Sequence, residues 1–84
     1  MMSPDEFDLL DELYFLQSYE QLKKELDWDD GKLLATLQAL LEKGWIKCYS
    51  SPEEEVLHNI RIDKDGENYL YLATKEGLLE HNQK

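Results

Sequence analysis

The chain has 84 residues, 42% of them hydrophobic, and 19 acidic side chains against nine basic ones give a net charge of −10. That length supports one domain, residues 1–84, with a core close to the lower limit for unaided folding. The single cysteine, Cys48, rules out an intramolecular disulfide, no run reaches membrane-span length, and the acidic start "MMSPDEFDLL" lacks the basic opening of a secretory signal. A reducing, cytoplasmic setting without membrane contact is therefore expected.

Ser3-Pro4-Asp5-Glu6 is a helix start: Ser3 caps, Pro4 suits the first position, and Glu6 falls where a capping box needs it. Phe7, Leu10, Leu13 and Tyr14 then follow helical spacing, widened by Leu9 and Leu16, so a first helix is predicted over 4–16. Ser18 with Gln21 forms a second capping box before "YEQLKKEL", whose buried residues should be Leu22 and Leu26. Asp29 caps a third helix at 30–43, with Asp30 near its positive end, an inward stripe of Leu33, Leu37 and Leu40, and Gly44 as the stop. "WIKCYS" alternates as a strand, and Cys48 alternates with Ile46 as a small core or sheet-face residue.

Ser51-Pro52-Glu53-Glu54 reads as a turn or a single helical turn. "IRIDKDGENYLYL" reads as a hairpin, because Asp65-Gly66 sits between two runs of strand-type residues. Thr74 caps a short final helix, "KEGLLEHNQ", which Gly77 weakens.

This order, carried by "SYEQLKKELDWDDGKLLATLQALLEKGWI" and "YLYLATKEGLLE", resembles the winged helix-turn-helix domain of bacterial transcriptional regulators, particularly the multiple-antibiotic-resistance regulator type. Trp28 stands where a hydrophobic residue fills the turn. Leu40, Gly44 and Trp45-Ile46 match the end of the recognition helix, and Tyr71-Leu72-Ala73-Thr74 with Gly77 match the returning wing strand. The resemblance covers roughly residues 4–50 and 69–80, with 51–68 outside it as an elaborated wing. It implies an α+β fold: a three-helix bundle, a β-hairpin wing and a short C-terminal helix.

The resemblance also implies that the N-terminal half and outer face of the helix at 30–43 would carry DNA readers. Those positions hold Asp30, Gly31, Lys32, Leu34, Ala35, Gln38 and Ala39, of which Lys32 and Gln38 suit base edges. A dimer gathering Lys23, Lys24, Lys32 and Lys43 beside Gln38 would supply a phosphate patch. Against it, the wing region holds Glu53, Glu54, Glu55, Asp63 and Asp65 against Arg61 and Lys64, which removes the term that holds such proteins on DNA. Leu34, Ala35, Gln38 and Ala39 instead describe a mildly apolar face for docking another protein, although Leu34 and Leu41 also fit a widened buried stripe. Leu78 and Leu79 either close the core or form a small dimer seam.

His58 and His81 are far apart in sequence, Cys48 has no companion, and "DKDGEN" lacks the length and late glutamate of a calcium loop. No glycine-rich phosphate loop or nucleophile elbow is present. No cofactor, metal or catalytic residue is expected. The reading is a small non-enzymatic interaction module or adaptor on a regulator scaffold, its partner another protein or a second copy in a homodimer. The alternative is a DNA-binding transcriptional regulator acting as a dimer through the helix at 30–43, with a minor place for an acidic decoy of nucleic acid or a binder of a basic partner.

Overall fold

In the computed structural model, which describes residues 2–83, helix starts follow the local cap chemistry. Ser3 Oγ accepts the Glu6 N–H at 3.1 Å and Glu6 Oε1 accepts the Ser3 N–H at 2.8 Å, which closes the capping box before α1 (Pro4–Asp11). Ser18 caps α2 (Tyr19–Leu26) through the Gln21 N–H, but the box is half made, because Gln21 Nε2 turns away to Glu25 Oε1. Asp29 caps α3 (Asp30–Lys43) through the Lys32 N–H, and Gly44 ends it at φ 76, a left-handed conformation in which glycine carries no Cβ penalty. Asp27 closes α2 in the same left-handed region, at φ 56.

The remaining elements are β1 (Gln17–Ser18), β2 (Ile46–Ser51), β3 (Glu54–Val56), the one-turn helix α4 (Ile62–Asp65), a 3-10 turn at Gly66–Asn68, β4 (Leu70–Ala73) and α5 (Lys75–His81). The strands form one antiparallel sheet in the order β1-β4-β2-β3. Ile46 to Tyr49 pair with Ala73 to Leu70, and the sheet's inner face presents Ile46, Cys48, Tyr71 and Ala73 to the helices. With five helices beside this sheet the chain is α+β.

Seven leucines (9, 10, 13, 22, 33, 37 and 40) lose all solvent contact in this core. Burial of each contributes about 1.5–3 kcal/mol. Leu26 is only half-buried. Burial pushes the Cys48 thiol up to about 12, so it is a packed side chain and not a nucleophile.

Two predicted elements take a different form. The first helix stops at Asp11, not at residue 16. The Leu13 carbonyl is taken by the Ala73 N–H at 3.0 Å, and the chain turns there so that Gln17 and Ser18 can pair with Tyr71 and Leu70. Pairing with the sheet outweighs continuation of the helical stripe.

The hairpin predicted around Asp65-Gly66 is absent. Gly66 has φ −55, right-handed, whereas a two-residue hairpin turn there needs positive φ. β4 already has β2 on one edge and β1 on the other, so residues 60–62 find no place beside it. They supply α4 instead, which packs on α3. The hairpin that does form joins β2 to β3 across Pro52-Glu53, with an irregular register between Tyr49 and Ser51. Residues 51–56 thus project as a short acidic hairpin, while 62–68 fold back onto the body.

Candidate functional site

Leu34 sits in the second turn of α3, and the α4 segment packs on the helix there. Ile62 is 1% exposed, and Gly66 lies so close that an added Cβ would stand 2.6 Å from Leu34 Cδ2. Two side chains fasten this segment. The Tyr71 hydroxyl, buried in the core, donates to the Gly66 carbonyl at 2.6 Å, and the Tyr69 hydroxyl accepts the Arg61 N–H at 3.3 Å. Burial drives the Tyr71 phenol upward, so it stays a donor.

The α3 face carries two depressions. On one side Leu34, Ala35, Gln38, Ile62 and Asp63 line a shallow, largely apolar groove of about 330 Å³. Ala35 is exposed, while Leu34, Gln38 and Ala39 are half-buried. Gln38 Nε2 donates to Glu42 Oε2 at 3.0 Å, so it is held along the helix and not aimed outward. On the other side Tyr19, Glu20, Lys23, Asp30 and Glu67 line a polar depression of about 260 Å³. The Tyr19 hydroxyl donates to Asp30 Oδ1 at 2.7 Å, and Lys23 Nζ lies 3.0 Å from the same oxygen. Those two contacts hold the Asp30 carboxyl below its ordinary range, and burial with the Asp30 charge pushes the Tyr19 phenol up.

Three of the four sequence-derived lysines are paired with acids. Lys23 pairs with Asp30, and Lys32 reaches Asp5 at 3.4 Å while lying 4.5 Å from the Trp28 ring centre. Lys43 donates to both Glu6 carboxylate oxygens, at 2.8 and 2.7 Å, and covers Trp45. Among the described residues, Lys24 alone of the four lacks an ion pair. Lys32 and Lys43 turn to acids of α1 and Lys23 to Asp30 at the start of α3, so these three cations are each opposed by an acid.

Glu6 is 5% exposed, so its pairing matters more than a surface contact would. Burial alone would raise its pKa. The Lys43 hydrogen bonds, the Ser3 N–H and the lysine charge outweigh burial and hold the carboxyl below its ordinary 4.5. A lowered folded value means that the stabilisation is complete above the unfolded value and is lost as pH falls through the folded one. Acidification below pH 4.5 should therefore destabilise the wild-type chain more steeply than Glu6→Gln, whose amide does not titrate there. Denaturant midpoints followed down the acid range measure this. Parallel curves for the two proteins would remove Glu6 from the acid response.

No local pattern in the sequence signals the clasp between α1 and α5. His81 is buried there, stacked on Phe7 at a 4.1 Å centroid distance. Its Nδ1 hydrogen-bonds the Tyr14 hydroxyl at 2.8 Å, and Nε2 lies 3.5 Å from Asp11 Oδ1 without a hydrogen bond. Leu78 joins the core edge and Leu79 points to solvent. Sequence reading also missed Ile62, Asp63 and Glu67 as lining residues, since they were assigned to a hairpin remote from α3.

Among the described residues no cluster of three or more His, Cys, Asp or Glu side chains is placed to hold a metal ion, and no helix is long and apolar enough to cross a membrane. Compared with protein-family models, with curated proteins and with solved structures, the chain finds no match in any of the three.

Proposed function

We propose that the chain is a non-enzymatic protein-interaction module, a regulatory subunit or adaptor on a winged helix-turn-helix scaffold, working in a reducing, cytoplasmic setting. The scaffold reading rests on the element order: a helix, a short strand, two helices around a tight turn, then β2 and β4 paired antiparallel with β1 on the far side of β4, β3 and α4 being inserted between them. On that scaffold α3 takes the place of the recognition helix, and β2 and β4 with the elaborated segment between them take that of the wing.

One observation carries the functional reading. The α3 face that would meet a duplex is bridged by the chain's own α4, leaving a groove lined by Leu34, Ala35 and Ile62, while Lys23, Lys32 and Lys43 are neutralised within the molecule. A helix in that state offers apolar area and shape to a protein and little to a phosphate backbone.

The discriminating experiment is a titration of the purified protein against random-sequence duplex DNA at low and at physiological salt, with solution mass measured in parallel. No binding at low salt is the expected result. Binding that weakens steeply with salt would mean that Lys23, Lys24, Lys32 and Lys43 form a phosphate patch, and the alternative of a dimeric DNA-binding regulator would replace this reading.

A further inference from the structure

We infer that the occupant of the α3–α4 face is a basic amphipathic segment of another protein, an aliphatic side chain entering the apolar groove and a lysine or arginine entering the acidic depression beside it. The inference rests on the reading of α3 as protein-facing and adds the chemistry of the partner.

Gly66 packs closely against Leu34 and ties residues 62–67 to α3. Asp30 of the polar depression and Leu34 of the groove stand one turn apart on α3, and Glu67 directly follows Gly66, so one ligand segment laid along this face meets both. The groove side presents almost no hydrogen-bonding demand, because Gln38 is satisfied by Glu42 and Asp63 by Arg61 at 3.2 Å. It selects for apolar shape. The other side holds three carboxylates, Glu20, Asp30 and Glu67, against one base, Lys23. Lys23 is already committed to Asp30, and among the described residues Glu20 and Glu67 have no ion pair. A cation placed there meets two unneutralised acids on a chain whose net charge of −10 adds long-range attraction. An acidic or phosphorylated segment would be repelled at the same place.

The spacing follows from α3 itself. Asp30, Leu34 and Gln38 succeed each other at one-turn intervals, roughly 6 Å each, so the two depressions are centred on the order of 6–12 Å apart. An extended segment spans that with roughly two to four residues between the basic and the apolar side chain.

The test is selection of short random peptides, displayed on phage, against the immobilised full-length protein at physiological salt. Recovered peptides are then titrated against wild type, Ala35→Arg and Glu67→Lys. Both positions are exposed, and unchanged thermal melts would verify that the variants fold. The expected outcome is enrichment of peptides pairing a lysine or arginine with a nearby aliphatic residue. Their affinity should drop about tenfold or more on either variant, and weaken with added salt.

Peptides that lose binding on Ala35→Arg but carry no basic residue, and ignore Glu67→Lys, would overturn the partner chemistry while leaving the docking face in place. Peptides indifferent to Ala35→Arg, or no enrichment over the bare support, would overturn the docking face itself.

Discussion

Gly77→Ala should lower the thermal midpoint of the chain by more than about 10 °C, a loss on the order of 3 kcal/mol for a domain of this size. The added Cβ would stand 2.1 Å from the Trp45 carbonyl oxygen and 3.0 Å from its carbon. Both are backbone atoms, so no side chain can swing aside. Nor is the carbonyl free to move, because it accepts the Thr74 N–H at 2.9 Å, while Thr74 Oγ1 donates to the Gly44 carbonyl at 2.8 Å and accepts the Gly77 N–H. Relief requires α5 to back away from the α3–β2 corner, which breaks these bonds and lifts His81 off Phe7. A matched Gly31→Ala change isolates the cause, since its Cβ meets nothing nearer than 3.5 Å and α3 gains a better helix former. That variant should melt at or slightly above wild type. Equal midpoints for Gly77→Ala and wild type would refute the close packing of α5 on Trp45.

Gly77 also marks what a sequence can reveal. Read locally, a glycine in a short helix is a weakness, and nothing within its own segment hints that the Trp45 carbonyl, far earlier in the chain, comes to rest against it. The caps at Ser3, Ser18, Asp29 and Thr74 were legible because donor and acceptor lie three residues apart. The inward leucines of α3 were legible for the same reason, as period alone places them. Asp65-Gly66 misled because its turn chemistry is compatible with more than one backbone, and the choice was made by tertiary demand. β4 had no free edge, and the half-covered Leu34 had room for Ile62 and Gly66, which stand four apart in the spacing of one helical turn.

The candidate site divides in the same way. Leu34, Ala35, Gln38 and Ala39 are readable as one mildly apolar face from α3 alone, and the first three line the groove. The other wall of the groove comes from Ile62 and Asp63, and Glu67 lines the polar depression. These positions lie too far along the chain for any helical period to associate them with α3. The lysines were visible as charges, but their pairing with Asp5, Glu6 and Asp30 depends on where α1 and α2 dock.

Ile62→Ala should cost about 2–4 kcal/mol, within the range for removing a fully buried aliphatic side chain, and most of that loss should begin in residues 62–68. Ile62 is the one side chain of α4 that leaves solvent entirely, so it carries the apolar attachment of this segment to α3. Tyr71 adds a hydrogen bond to Gly66, but one such bond contributes about 1 kcal/mol and depends on the segment already being in place. Amide exchange should therefore speed up first at 62–68, then at Leu34 and Ala35 as their cover is lost, before the α3 core at Leu37 and Leu40 responds. A wing standing off the body would behave otherwise: the substitution would fall within about 0.5 kcal/mol of neutral and leave exchange in α3 untouched. If the large effect is seen, the groove is a product of the fold as a whole, and the same variant should forfeit peptide binding at sub-denaturing temperatures where its α3 core remains protected. Attachment of α4 is thus the step that converts an exposed helix face into a shaped groove, and Ile62 is where that conversion is held.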